Sequence, residues 1–298
     1  MTGFSTDWLA LREPFDHAAR TAAAAALDWP ALAAHLPAGG EPTTVLDLGC
    51  GTGATLRALA PRLGSRQRWT LVDHDARLLD AMPAALAPWS ACQGLHLKER
   101  GGVLLLQGGG RRIEIERRRA DLVAGFDQLR FESAQLVTAS ALLDLVSAPW
   151  LAALVARCRA ANAAICWALN VDDRMDWQPV DPSDVPVHAL FQAHQQRNKG
   201  FGPALGGAAV TQAGALLVQA GYRVSRAASD WLVDGMRGAQ DRAMLRAMVE
   251  GVALAALEQQ PASHAEVDDW KARRLGLVAD TCLRVGHVDV LGIPAAPR

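Results

Sequence analysis

Short unbroken apolar runs alternate with stretches of helical spacing along most of this chain. Residues 7–36 read as mostly helical, with Asp7 as a cap, then Trp8, Leu9 and Leu11, and an alanine-rich segment after Pro14 that Pro30 kinks or divides. The run Pro37-Ala38-Gly39-Gly40-Glu41-Pro42 ends it. Thr44–Leu48 predicts a buried strand, Ala54–Ala60 a helix ending near Pro61, and Trp69–Val72 a second strand ending at Asp73. Ala76–Met82 predicts a short helix stopped by Pro83.

The next stretch departs from a plain strand–helix rhythm. Leu95–Leu97, Val103–Gln107 and Arg112–Arg117 read as strands, with Gly108–Gly110 as a turn, and the last of them leads into Asp121-Leu122. Gln135–Thr138 is a further strand, Ala141–Val146 a turn or short helix, Trp150–Ala160 a helix and Ala163–Leu169 a strand. Val171–Ala209 carries Pro179, Pro182, Pro186 and Pro203 without clear periodicity, and its length suggests a substrate loop or lid. Thr211–Ala220 predicts a helix capped by Gly221, and Tyr222–Arg226 a strand. Ala239–Gln259 and Ala265–Asp280 predict two helices, and Leu283–Leu291 a closing strand.

This alternation points to a doubly wound, mostly parallel α/β sheet in a single domain over 1–298. The expected parts are an N-terminal helical cap over 1–40, a cofactor-binding core over 41–170, the loop or lid over 171–209, and a helical insertion over 231–280 before the last strand.

The densest signal lies in Val45-Leu46-Asp47-Leu48-Gly49-Cys50-Gly51-Thr52-Gly53. An apolar run ends in three glycines at alternate positions, and a helix pattern follows. Glycine allows a positive φ and lets a ligand approach where a Cβ would collide. The start of a helix offers unpaired N–H groups to an electronegative ligand. A strand–helix turn without a ligand is the plain alternative, but three alternate glycines at one strand end exceed what a turn needs. The spacing is G-x-G-x-G rather than the G-x-G-x-x-G of a dinucleotide site. With Asp47 just before it, the loop suits a ligand bearing an ammonium or hydroxyls better than a pyrophosphate.

This stretch resembles the first motif of class I S-adenosylmethionine-dependent methyltransferases. The resemblance covers roughly residues 40–230 and the final strand. It implies a seven-stranded Rossmann-like sheet with strand order 3-2-1-4-5-7-6 and S-adenosylmethionine as cofactor. It also implies that Gly49, Cys50, Gly51 and Gly53 wrap the methionine part while Asp47 holds its amino group. Asp73, with His74 behind it, would take the ribose hydroxyls. Asp121 would accept from the adenine amino group with Leu122 covering the ring, although Asp121 serves equally well as a cap. Arg12 or Arg20 could pair with the methionine carboxylate, and Arg20 is the choice, a surface arginine being the bland alternative.

Composition sets outer bounds. Half of the 298 residues are hydrophobic and the formal net charge is −1, so no global basic field favours nucleic acid, although a local patch is not ruled out by that balance. Cys50, Cys92, Cys158, Cys166 and Cys282 are scattered, odd in number and never in C-x-x-C spacing, as expected of buried thiols in a reducing compartment. No signal-peptide pattern and no membrane-length apolar run is present, so the expected location is cytoplasmic and no membrane partner is expected.

The acceptor side is quieter. His188 and His194 are candidate general bases because an unperturbed histidine titrates near neutrality, though a surface role is the commoner fate of each. Asp172-Asp173 invites a metal reading, but adjacent acids point apart and no further ligand set is evident, so no metal is expected. The Asn/Asp-Pro-Pro-Tyr and Pro-Cys motifs of nucleic-acid methylating enzymes are missing after the fourth strand. Trp231, Met244, Met248 and Trp270 either face a pocket or pack their helices onto the sheet.

The resemblance therefore implies methyl transfer to an O, N or C nucleophile of a small-molecule acceptor. Alternatives are an RNA or protein methyltransferase, supported by the Arg111–Arg119 cluster unless strand alternation splits it between faces, and a non-catalytic cofactor-binding protein. A nicotinamide oxidoreductase fits the glycine spacing poorly.

Overall fold

A computed structural model describes residues 4–38 and 40–295. Its N-terminal helix α1 (Thr6–Ala23) is capped by Ser5, whose Oγ accepts the Trp8 N–H at 3.1 Å, so the cap lies two residues before the expected Asp7, which falls in the first turn. Pro14 sits inside α1, where the Ala10 carbonyl that loses its partner faces solvent on an exposed residue. Helix α2 (Trp29–His35) takes Pro30 in its first turn, where the missing N–H costs nothing.

Next come β1 (Thr43–Leu48), α3 (Ala54–Leu59), β2 (Arg66–Asp73) and α4 (Ala76–Cys92). Helix α4 runs straight through Pro83, ten residues beyond the stop expected from the sequence. The Leu79 carbonyl freed by Pro83 is taken instead by Arg117 Nη1 at 3.2 Å, a tertiary donor that no local pattern reveals. Strands β3 (His96–Arg100), β4 (Val103–Gly108) and β5 (Arg111–Arg119) form an antiparallel meander. After β6 (Leu136–Ser140) and α5 (Ala148–Ala160), β7 runs from Ala164 to Gln178, more than twice its expected length. It is followed by α6 (Asp184–Gln195), α7 (Ala209–Gln219), β8 (Tyr222–Ala228), β9 (Trp231–Asp234), α8 (Ala239–Gln259), α9 (His264–Gly276) and β10 (Cys282–Pro294).

One sheet joins all ten strands in the order β3-β4-β5-β2-β1-β6-β7-β10-β8, with β9 paired to the outer half of β10. Set aside the β3–β4 hairpin and β9, and the remaining seven strands follow the expected order 3-2-1-4-5-7-6 in chain sequence. Strands β5, β2, β1, β6 and β7 are mutually parallel, while β10 runs antiparallel to both neighbours. The winding direction reverses between β1 and β6, which makes the crevice beyond their carboxyl ends the natural ligand site of such a sheet.

Three apolar clusters hold the layers. On one face α2, α3 and α4 pack through Leu32, Leu56, Met82 and Leu86 against Trp69, Leu71 and Ile115. On the other, α5 and α7 pack through Leu151, Leu154 and Leu217 against Leu46, Val137 and Ile165. The third joins Phe15 and Ala19 of α1 to Trp177, Val187, Met244 and Trp270.

This third cluster explains two departures from expectation. The 171–209 segment is not an irregular loop: its first part continues β7, because β10 pairs with it as far as Gln178, and its middle is α6. Trp270 Nε1 donates to Asp184 Oδ1 at 2.8 Å, and Arg274, 1% exposed, pairs with the same carboxylate and donates to the Pro179 carbonyl at 2.8 Å. The 231–280 insertion is not wholly helical either, since Trp231–Asp234 pairs with Cys282–Val285. Trp231, Met244 and Trp270 are buried in this cluster, with Met248 partly buried against it. Among the described residues, no helix is long and apolar enough to cross a membrane.

Candidate functional site

The glycine loop leaves β1 at the switch point. Gly49, Gly51 and Gly53 take φ of +65°, +53° and +84°, values an L side chain resists. The loop is stitched down by the Cys50 N–H to the Val72 carbonyl at 3.0 Å and the Gly53 N–H to the Cys50 carbonyl at 2.9 Å. Helix α3 behind it has six residues, too short for a strong axial dipole, so the loop itself shapes the cradle.

Two carboxylates flank the loop in different states. Asp47 is fully buried; its Oδ1 accepts Thr138 Oγ1 from β6 at 2.7 Å, and its Oδ2 is buried with no partner. Burial pushes Asp47 up to about 6, against the opposing pull of the Thr138 hydrogen bond and the Arg20 charge. Asp73 is well satisfied: Oδ2 accepts the Gly51 N–H and Oδ1 the Asp75 N–H, each at 2.9 Å, with His74 Nδ1 at 3.3 Å. Asp73 thus fixes the loop.

Helix α1 crosses above the loop. Arg20 Nη2 donates to Ser140 Oγ at 2.7 Å, at the end of β6, and lies 3.5 Å from Thr55 Oγ1. Arg57 of α3 donates to Glu13 of α1 at 2.8 Å and to the Thr52 carbonyl at 2.7 Å. Leu9 Cδ1 stands 3.1 Å from where a Cβ on Gly51 would be. Arg20 is therefore drawn to the same crevice as Asp47, whereas Arg12 is turned elsewhere: it pairs with Asp16 at 2.9 Å and lies 5.0 Å over the Trp231 ring.

Among the other sequence candidates, Asp121 is exposed and its Oδ1 accepts the Val123 N–H at 2.8 Å, the capping geometry that was its alternative. Leu122 is buried, and its carbonyl accepts Trp150 Nε1 at 2.9 Å. Cys50 is buried, and burial pushes its thiol up, so it is no nucleophile. His188 is half-buried against Phe191, with burial pulling it down. His194 is committed to Glu258 at 2.9 Å and Lys199 at 3.4 Å, a link between α6 and α8. Asp172 pairs with Arg174 while Asp173 accepts the Gly207 N–H at 3.1 Å, so the two acids do point apart.

Sequence reasoning passed over Asp144. It lies four residues beyond β6 in the apolar run Ala141–Val146, is buried, and leaves Oδ1 without a partner. Burial pushes it up to about 6, with Arg12 and Lys199 opposing and Asp173 adding. Leu142, two residues before it, lies 3.6 Å from the Cβ position of Gly49. Ala141 and Asp173 hold φ of +49° and +65°, strained values for side-chain-bearing residues at the carboxyl edge of the sheet. A single acid inside an otherwise apolar turn was the signal for Asp144.

No family model matches the chain, and no curated protein matches it. Among solved structures it is similar to an S-adenosylmethionine-dependent methyltransferase from Geobacter sulfurreducens in complex with S-adenosyl-L-homocysteine, at 16% identity over 96% of this chain and 98% of that one, with a TM-score of 0.41. A counterpart from Thiobacillus denitrificans, also in complex with S-adenosyl-L-homocysteine, gives 14% identity over 97% and 99%, with a TM-score of 0.41. An O-methyltransferase family protein from Burkholderia thailandensis gives 14% identity over 98% of this chain with a TM-score of 0.44, and the chain spans 59% of its length. Likenesses this remote carry no residue roles, so a functional reading has to come from the site.

Proposed function

We propose that this protein is an S-adenosylmethionine-dependent methyltransferase acting on a small-molecule acceptor. The observation that carries the reading is Asp47: a buried carboxylate oxygen without a partner, at the switch point of a doubly wound sheet, beside a loop of three positive-φ glycines. Such an oxygen calls for a cationic or donor group, and an amino-acid ammonium answers it. Arg20, held nearby by Ser140, would take the carboxylate of the same amino-acid moiety. The donor set fits the cofactor.

In this reading Asp47 and Arg20 bind the methionine part, Gly49 to Gly53 let it approach, and Asp73 takes the ribose hydroxyls with its remaining lone pairs. The Asp121-Leu122 turn and His74 border the adenine end. When bound, the cofactor supplies an activated methyl group on sulfur, open to in-line displacement by an O, N or C nucleophile. The chain's own task is then to align that nucleophile and exclude water, which can supply much of the acceleration. Asp144 borders the acceptor side, ready to hold a hydroxyl or amine proton, with His188 further out.

Calorimetry with S-adenosylmethionine, S-adenosylhomocysteine and NAD tests the donor. Binding of the sulfur cofactors and not NAD supports the reading, and failure of the unmodified protein to bind either would overturn it. Labelled-methyl transfer into a metabolite extract, compared with RNA and protein fractions, tests the acceptor. Binding without transfer to any fraction would identify a non-catalytic cofactor-binding protein.

A further inference from the structure

A doubly wound sheet normally carries helices on both faces, because parallel strands are stable when buried. Here α4 covers one face of the β3-β4-β5-β2 half through Leu79, Met82 and Leu86. On the opposite face, the segment between β5 and β6 forms two short turns, Phe126–Gln128 and Phe131–Ser133, instead of a helix. Phe126 and Phe131 turn inward to Trp150, which draws the segment away from β4 and β3. What remains is an open face, with a groove of about 530 Å³ where the turns meet β1, β2 and β5.

Strand register assigns the side chains on this face. Alternation splits the Arg111–Arg119 cluster: Arg117 reaches α4's side, bonding the Leu79 carbonyl and Glu99, while Arg112 and Arg118 lie on the open face. The neighbouring strands then restore the charge. Arg66 and Arg68 stand beside Arg112 and Glu114 on β2, and Lys98 and Arg100 continue the same rows on β3 through Leu105 and Val103. Arg130 joins from the rim of the groove.

Six cations on the strands thus stand against two carboxylates, Glu114 and Glu116, with Arg118 half-buried and donating to the Gln128 carbonyl and with Arg130 and Glu132 exposed on the adjoining turns, in a chain whose formal net charge is −1. Glu114 is already engaged by Arg112 at 2.8 Å and Arg68 at 3.5 Å. Lys98, Arg100 and Arg130 are exposed and make no ion pair among the described residues.

We propose that this face docks a nucleic acid through its phosphodiester backbone. Cations on alternate residues stand about 6.6 Å apart along a strand and about 4.8 Å between strands, a flat array that can meet successive phosphates. A protein partner would require an apolar centre, and the face offers little beyond Val103 and Leu105. Among the described residues no Phe, Tyr or Trp is exposed on these strands for base stacking, the imidazole of His96 being the one ring on this face, so recognition is of the backbone and not of sequence. The inference stands on the sheet face and does not require the methyltransferase reading.

The test is fluorescence anisotropy with a labelled single-stranded RNA of about 20 nucleotides and a DNA duplex of the same length, titrated over a range of KCl concentrations. The full chain should bind at least one of them, with affinity falling steeply as salt rises. Lys98→Glu, Arg100→Glu and Arg130→Glu together should weaken binding more than about tenfold and lower the salt slope by about two or more. The control Arg223→Glu, Arg237→Glu and Arg246→Glu, exposed arginines elsewhere, should leave both nearly unchanged. Thermal unfolding reports whether each variant is folded, and Lys98→Gln, Arg100→Gln and Arg130→Gln replace the reversals if one is not. No binding to either probe at low salt, equal effects of test and control variants, or tighter binding to polyglutamate than to nucleic acid would each overturn the proposal.

Discussion

Thr138 Oγ1 donates to Asp47 Oδ1 at 2.7 Å across the β1–β6 switch point and leaves Asp47 Oδ2 buried without a partner. The hydrogen bond orients the carboxylate but does not offset its desolvation, and the group is pushed up to about 6. An acid with a raised native pKa binds its proton more tightly folded than unfolded, so its contribution to stability falls as pH rises from about 4 through 6. Asp47→Asn should therefore stabilise the ligand-free protein at pH 7.5 by about 1–3 kcal/mol in urea titrations. The same change should weaken S-adenosylhomocysteine binding at least about tenfold, by removing the charge that meets the ammonium. In the unmodified protein that affinity should rise with pH through 6, and this rise should be lost in the variant.

Gly51 is held by a positive φ and by its neighbours at once. Gly51→Ala places a Cβ at φ +53° and 3.1 Å from Leu9 Cδ1, and also strains the amide that donates to Asp73. The expected cost is about 1–2 kcal/mol from the backbone alone. Adding Leu9→Ala should not recover it, because that second change relieves contact and not φ. Thermal unfolding of the single and double variants checks this, and full recovery in the double variant would show that the steric contact dominates.

Asp184 anchors the segment that reads from sequence as a lid. It accepts Trp270 Nε1 and Arg274 Nε, at 2.8 and 3.0 Å, with Arg274 buried. Asp184→Ala leaves that guanidinium buried without its carboxylate, which should cost about 3–5 kcal/mol in denaturant titration. Hydrogen exchange should rise in α6 and α9 together. A cost under about 1 kcal/mol would mean that α6 is docked by apolar contact alone.

The same segment marks the boundary of what the sequence discloses. Val45 to Gly53 is legible because strand, acid and glycines are adjacent, so local rules fix the turn and the position of Asp47. The strand order comes with the resemblance that the glycine loop carries, whereas the apolar runs by themselves mark only where strands such as β1, β2 and β6 lie. Elements stabilised from a distance are not legible. Helix α4 passes Pro83 because Arg117, far along the chain, supplies the missing donor. Strand β9 is four residues long and has a partner only because β10 overhangs the sheet. Arg20 could be nominated as a cofactor ligand, yet its choice over Arg12 depends on the phase of α1. Asp144 acquires its environment from α1, β7 and the loop near Lys199, which no window of sequence contains.

His287 offers a pH test of opposite sign to Asp47. It is 2% exposed, its Nδ1 lies 3.1 Å from the Val285 carbonyl, and its ring lies 4.7 Å from that of Trp231. Burial, aided by the Arg12 charge, pulls it down to about 4, while the Val285 contact and the Asp172 and Asp230 charges oppose this. The unfolded chain therefore takes up a proton near 6.5 that the native protein refuses until about 4. Its contribution is complete above 6.5 and is lost as pH falls through that window, by up to about 3 kcal/mol. Asp47 and Asp144 change in the other direction over the same range, so the total stability curve does not isolate His287. The difference between the unmodified protein and His287→Gln does. That difference should shrink as pH is lowered from 7.5 to 4.5 in urea titrations, because the unmodified protein alone bears the cost of excluding the proton. A difference that stays constant with pH would mean that His287 is protonated in the native state as readily as in the unfolded one, and that its burial is not maintained in solution.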